Sequence, residues 1–207
     1  MDGAWVDRLE RRLGILAVPG LPGLLTAMTA AASLFAVSKP EFVSALALDP
    51  AALLHGQVWR AVTFLIVPPP SSLLWMLLWL AMIFAVLSAL ESAWGEFKLT
   101  VFIAIGVVMS TAAALLTGAP GDNGPVHLAN FLAFARLAPD REVLVMFVIP
   151  VKLRWIAAVA AALTAIQLLG GDTASRARLL AGLSAYLIYF GPGHWLDIKL
   201  AWRRRGL

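Results

Sequence analysis

The sequence predicts an all-α membrane protein, a bundle of six transmembrane helices with a short fourth helix and an interfacial first loop. Three observations predict it. The chain of 207 residues is 61% apolar and carries 28 formal charges, 16 on Lys or Arg and 12 on Asp or Glu, well below the roughly one quarter charged residues of a soluble domain. Those charges leave six uncharged stretches, 13–38, 61–90, 99–121, 123–135, 155–171 and 179–196. Most approach or exceed the roughly 18 to 20 residues that cross a hydrocarbon core about 30 Å thick. Finally, the stretches are continuously apolar, without the alternation that a membrane barrel imposes on its strands.

Trimmed to their apolar cores, the stretches predict helices over 21–37, 73–91, 99–117, 126–138, 153–169 and 179–196. Three units follow: a cytoplasmic N-terminal arm over 1–20, the transmembrane domain over 21–196 and a basic cytoplasmic tail over 197–207. Arg8, Arg11 and Arg12 ahead of an apolar stretch ending in Ala36-Val37-Ser38 also fit a cleavable signal peptide. With the N-terminus inside, twelve basic residues fall on the cytoplasmic side and four, Lys39, Arg60, Arg176 and Arg178, on the other. That bias is the one expected of cytoplasmic loops. Tryptophans agree, with Trp59, Trp75 and Trp79 near the outer boundary and Trp5, Trp94, Trp155, Trp195 and Trp202 near the inner one.

The connection over 38–72 is too interrupted by Pro40, Pro50 and Pro68-Pro69-Pro70 to span, yet too apolar for water. It is expected to lie partly sunk in the outer leaflet, with Trp59 at headgroup depth and Arg60 binding phosphates or satisfying loop carbonyls. In the third segment Gly106, Ser110, Ala114 and Gly118 recur at four-residue intervals, a face for close helix crossing. His127 and Asn130 are polar groups on the short fourth helix, where they either cap it or line a shallow polar cavity.

Several chemistries are excluded or left without support. There is no cysteine, hence no disulfide or thiolate chemistry. The basic residues sit at segment ends and form no stripe, so no nucleic-acid partner is expected. His55, His127, Asp49 and Asp122 share a side but match no metal-ligand spacing, and no metal or cofactor is expected. The run Val143 to Ile149 is too short to span and reads as interfacial. Arg203-Arg204-Arg205 reads as an anchor to anionic lipid or a docking point for a cytoplasmic partner.

The stretch His55-Gly56-Gln57-Val58-Trp59-Arg60-Ala61-Val62-Thr63-Phe64, followed by Glu91-Ser92-Ala93-Trp94-Gly95, resembles the rhomboid superfamily over roughly residues 20–195. The resemblance implies a Trp-Arg pair in the interfacial first loop, and Glu91 and Gly95 closing the second helix at its cytoplasmic end. Pro139-Asp140-Arg141-Glu142-Val143, Trp155, and Leu179-Leu180-Ala181-Gly182 leading to Ile188-Tyr189-Phe190 look most like derlins, the non-proteolytic branch. Active rhomboids use a Gly-x-Ser-Gly serine at the outer start of the fourth helix and a histidine in the sixth. Here the fourth helix begins Gly124-Pro125-Val126-His127, and Arg178 stands where the histidine is implied. The second helix also lacks the His or Asn that would donate to an oxyanion. No catalytic residue is therefore assigned.

The expected function is that of a pseudoprotease binding transmembrane clients in the lipid bilayer, for quality control or trafficking. Two alternatives stay open: an active protease with a displaced nucleophile such as Ser184 near His127, and a small transporter or channel. The resemblance adds a client entrance between the second and fifth helices. The bacterial inner membrane is the expected location, with the endoplasmic reticulum as the derlin-based alternative.

Overall fold

A computed structural model describes residues 4–69, 72–145 and 149–205. An amphipathic helix α1 (Ala4–Leu13) and a 3₁₀ turn (Gly14–Leu16) precede α2 (Leu21–Ser38). Three short helices follow, α3 (Pro40–Leu46), α4 (Pro50–Leu54) and α5 (Arg60–Thr63), the last continuing into a 3₁₀ turn (Phe64–Ile66). Then come α6 (Leu73–Trp94), α7 (Glu96–Thr117), α8 (Gly124–Leu137), a hairpin of β1 (Glu142–Val145) and β2 (Ile149–Lys152), α9 (Leu153–Gly170) and α10 (Thr173–Arg205).

The chain is a multi-pass membrane protein built of helices. Four of them, α2, α6, α7 and α9, are long and apolar enough to cross a bilayer. The expected six spans thus divide: four satisfy length and hydropathy, while α8 has only 14 residues, about 21 Å at 1.5 Å per residue. α10 is helical from Thr173 to Arg205, with Pro192 inside it. It therefore runs on through the residues expected to form a separate basic tail; the side chains of Arg203, Arg204 and Arg205 lie outside the described residues. The all-helical expectation misses the hairpin. Glu142 stands opposite Lys152 and Val143 opposite Val151, so β-branched residues and opposite charges are paired across the ladder. Part of the run Val143 to Ile149, residues 146–148, lies outside the described residues.

Local chemistry sets the helix ends. Pro22, Pro40, Pro50 and Pro125 occupy first-turn positions where no N–H is required. Gly95 joins α6 to α7 at φ 86° and ψ 163°, backbone that is essentially reserved for glycine, and its N–H donates to the Glu91 carbonyl at 2.7 Å. Gly118 ends α7 in the left-handed region at φ 68°. Asp172 caps α10, accepting from the Ser175 N–H at 3.0 Å. Hydrogen bonding to Ser175 holds its carboxyl below the usual carboxylate range. Hydroxyls inside the spans bond back to their own helices, as Thr29 does to Leu25, Ser33 to Thr29 and Thr164 to Ala160. That satisfies them where lipid offers no partner.

The centre of the bundle is the seam of α7, α8 and α10. A Cβ on Gly182 would lie 2.3 Å from the Pro125 Cβ and 3.0 Å from its carbonyl carbon. A Cβ on Gly106 would meet Val126 Cγ1 at 3.2 Å, with the Gly182 carbonyl 3.8 Å away. Three backbones therefore meet through two glycines and a proline, the close approach that packing in lipid depends on. Around this node Leu87, Leu90, Leu99, Phe102 and Ala133 are essentially fully buried. α9 packs on α8 and α10 and turns Trp155, Val159, Ile166 and Leu169 outward, as a lipid-facing helix should.

Gly182→Ala should lower the melting temperature in detergent. Overpacking costs roughly 1 to 3 kcal/mol, against at most about 1 kcal/mol gained in helix propensity. Gly23→Ala, where a Cβ meets nothing within 4 Å, should leave melting unchanged or raise it. Equal behaviour of the two variants would refute the node.

Candidate functional site

The outer connection is a folded unit held by side chains that donate to carbonyls. A helix leaves its last four carbonyls without partners, and α3 ends only four residues before Pro50 starts α4. The unpaired carbonyls are taken up from α5 and its N-cap. Arg60 donates through one terminal nitrogen to the Ser44 carbonyl at 2.6 Å and to the Ala47 carbonyl at 2.9 Å, and its Nε donates to Gln57 Oε1 at 2.7 Å. The Trp59 Nε1–H donates to the Ala45 carbonyl at 3.3 Å. The Thr63 hydroxyl donates to the Leu46 carbonyl at 3.0 Å. Four consecutive carbonyls thus find donors on three residues of one helical turn, with a cation at the negative end of α3. Of the two roles open to Arg60, the geometry displays carbonyl capture.

The unit is anchored to the bundle at both ends. Leu48 is fully buried, and its carbonyl accepts from the Gly121 N–H at 2.9 Å. The Thr111 hydroxyl on α7 donates to the Ala61 carbonyl at 3.1 Å. Asn123 Nδ2 donates to the carbonyls of Leu65 and Val67 at 3.0 and 2.8 Å, and His127 Nε2 lies 3.3 Å from the Leu65 carbonyl. An ion pair of Asp122 with Arg178 at 3.0 Å ties the next loop to α10.

His127 and Asn130 do approach one space. With Met82, Ile83, Val86, Leu87 and Phe131 they line a crevice between α6 and α8 of about 10 Å³, about what one water needs. Asn130 is buried and its Oδ1 has no hydrogen-bond partner, while Trp79 meets the His127 ring edge-on at 5.4 Å. This is a pinhole, smaller than the shallow cavity that was one of the two expectations, and the other, a cap, falls to neither residue, since Asn123 holds the N-cap position of α8.

The packing row separates into two functions. Gly106, Ser110, Ala114 and Gly182 lie buried in the α7–α8–α10 region. Gly118 is exposed with open space around it, and its N–H donates to the Ala114 carbonyl at 2.9 Å, so it terminates the helix rather than packing it. At the other end of the bundle, Glu91 and Gly95 form the α6–α7 joint, where Glu91 Oε1 is buried without a partner. Trp94 packs there on Phe102, Tyr189 and Phe190 with centroids 5.2 to 6.0 Å apart.

Among the described residues no serine hydroxyl is bonded to an imidazole: His127 faces Leu65, and the buried Ser184 Oγ has no partner. Nor do three potential metal ligands gather among them. Sequence reasoning missed Thr63, Thr111 and Asn123. Only Asn123 carried a signal, as the residue before Gly124-Pro125 where a turn must close.

Residues 20–119, just under half of the chain, match the model of a family described as eukaryotic integral membrane protein (DUF1751). A search of curated proteins finds no match. The description of that family as eukaryotic overturns the expected bacterial inner membrane. The matched span runs from the start of α2 to just past α7, so it contains the whole carbonyl-capturing unit.

Arg60→Ala should destabilise the protein by roughly 2 kcal/mol or more, since charged hydrogen bonds contribute about 1.5 to 3 kcal/mol each. Arg60→Lys should recover only part, because an ammonium lacks the planar fork that reaches Ser44, Ala47 and Gln57 together. Melting in detergent checks both, and wild-type stability of Arg60→Ala would remove the assigned role.

Proposed function

We propose that the chain is a rhomboid-like pseudoprotease of a eukaryotic membrane, the endoplasmic reticulum being our choice, that binds transmembrane client proteins in quality control or trafficking. α2, α6, α7, α8, α9 and α10 serve as its six spans, with both termini cytoplasmic. The observation that carries the reading is the contact of Gly182 with Pro125. In an active rhomboid the start of the fourth helix meets the sixth through a serine and a histidine. In this chain the first turn of α8 meets α10 through Pro125 against Gly182, beside Val126 at the serine's place in the motif and one turn beyond Arg178, closer than any added side chain allows. No hydroxyl, base or water has room between them, and acyl transfer needs all three groups within bonding reach.

Client binding follows from mismatch. α8 is about 21 Å long and the outer unit exposes Leu54, Val58, Trp59 and Val62, so neither can match a core about 30 Å thick. The surrounding bilayer thins or tilts to meet them. A client helix with a charge at mid-membrane, disfavoured by roughly 2.5 to 3.5 kcal/mol in intact lipid, is better accommodated there. α6 and α9 flank the entrance, and the outer half of α6 offers Leu73, Leu74, Trp75 and Leu77 to lipid.

Photocrosslinkers placed at Trp75 and Trp155 in native membranes should trap transmembrane proteins, preferentially those with polar helices. A fluorophosphonate probe should leave the purified protein unlabelled. Labelling that disappears in Ser184→Ala would establish a displaced nucleophile instead, and solute flux through proteoliposomes without trapped clients would establish a transporter.

A further inference from the structure

α8 and α9 are not closely packed at the end where the hairpin lies. Leu132, Ala135 and Pro139 on one side and Ala157, Ala158 and Ala161 on the other border an open groove of about 470 Å³, floored by Tyr186 of α10. The volume falls within the range of small-molecule sites. Its chemistry changes along its length. Its apolar lining is alanine and leucine, and its two basic residues, Arg136 in the last turn of α8 and Arg154 in the first turn of α9, mark the mouth at the hairpin end.

The mouth is preorganised. Arg154 lies over the Trp155 ring at 5.6 Å and contacts Asp140 Oδ1 at 3.1 Å, which also draws in Lys152 at 3.6 Å. Arg141 sits over Phe134 at 5.9 Å. Among the described side chains around the hairpin, two are acidic, Asp140 and Glu142, and four are basic, Arg136, Arg141, Lys152 and Arg154, so these groups together carry a positive balance. An apolar channel under a cationic rim is complementary to a molecule with one anionic end and one hydrocarbon end.

We propose that this groove binds a single anionic glycerophospholipid, its phosphate between Arg136 and Arg154 and its acyl chain along the Ala157–Ala161 face. Basic pockets between transmembrane helices at the cytoplasmic surface are known to hold such headgroups. The hydrocarbon segment distinguishes a lipid from free phosphate or an acidic peptide, neither of which would use the alanine-lined part. The inference does not rest on the client-binding reading.

The test uses the full-length protein, delipidated in neutral detergent, with thermal melting and native mass spectrometry as readouts. Short-chain phosphatidylserine should raise the melting temperature and remain bound in the gas phase as one molecule per chain, whereas phosphatidylcholine should do neither. Arg136→Gln with Arg154→Gln should weaken phosphatidylserine binding about tenfold or more. Ala161→Leu should weaken it by filling the channel while every cation is kept. An equal response to phosphatidylcholine, an equal response to inorganic phosphate or to an acidic peptide, or wild-type affinity in Ala161→Leu would each overturn the proposal. The comparison of lipids on the wild-type protein stands even if a variant fails to fold.

Discussion

The stretch from Ser44 to Ala47 presents four backbone carbonyls in succession that the short helix α3 leaves without partners of its own. Trp59, Arg60 and Thr63 supply the donors. This constraint explains the otherwise odd composition of the outer connection. Pro40 and Pro50 start α3 and α4, helices this short expose many terminal carbonyls relative to their length, and one turn rich in donors is placed to meet them. Leu48, buried against Gly121, then joins the satisfied unit to the loop that opens α8.

The inner architecture answers a different demand. Apolar faces gain nothing from each other in lipid, so the helices are held by shape. The glycines at 106 and 182 let α7 and α10 close on Pro125 and Val126. Longer side chains pack outside that node, and the aromatic group of Trp94, Phe102, Tyr189 and Phe190 holds the opposite end. Position in the seam also decides the fate of α8. Its 14 residues need not span alone, because α6, α7, α9 and α10 all touch it.

Much of this was legible from residue order. Gaps between charges located α2, α6, α7, α8 and α9 to within a few residues, since hydrocarbon tolerates almost no unpaired charge. Arg60 and Trp59 were recognisable as residues with a loop task, because a cation and an indole in an apolar, proline-broken stretch need polar partners. Other features were hidden for physical reasons. The four-residue spacing of Gly106, Ser110, Ala114 and Gly118 cannot distinguish a packing glycine from a terminating one, as only the backbone angle at Gly118 separates them. The pairing of β1 with β2 was hidden in a run of apolar residues too short to show a period. The partners of Thr111 and Asn123 lie 50 and 58 residues away in the chain, beyond any local pattern.

The contact of Gly182 with Pro125 has a consequence for descent. A residue with any side chain at one position requires withdrawal at the other, so the two sites cannot drift independently. Related chains that replace this glycine should carry a compensating change at the proline or a shifted α8. Lineages retaining both are held in place by geometry.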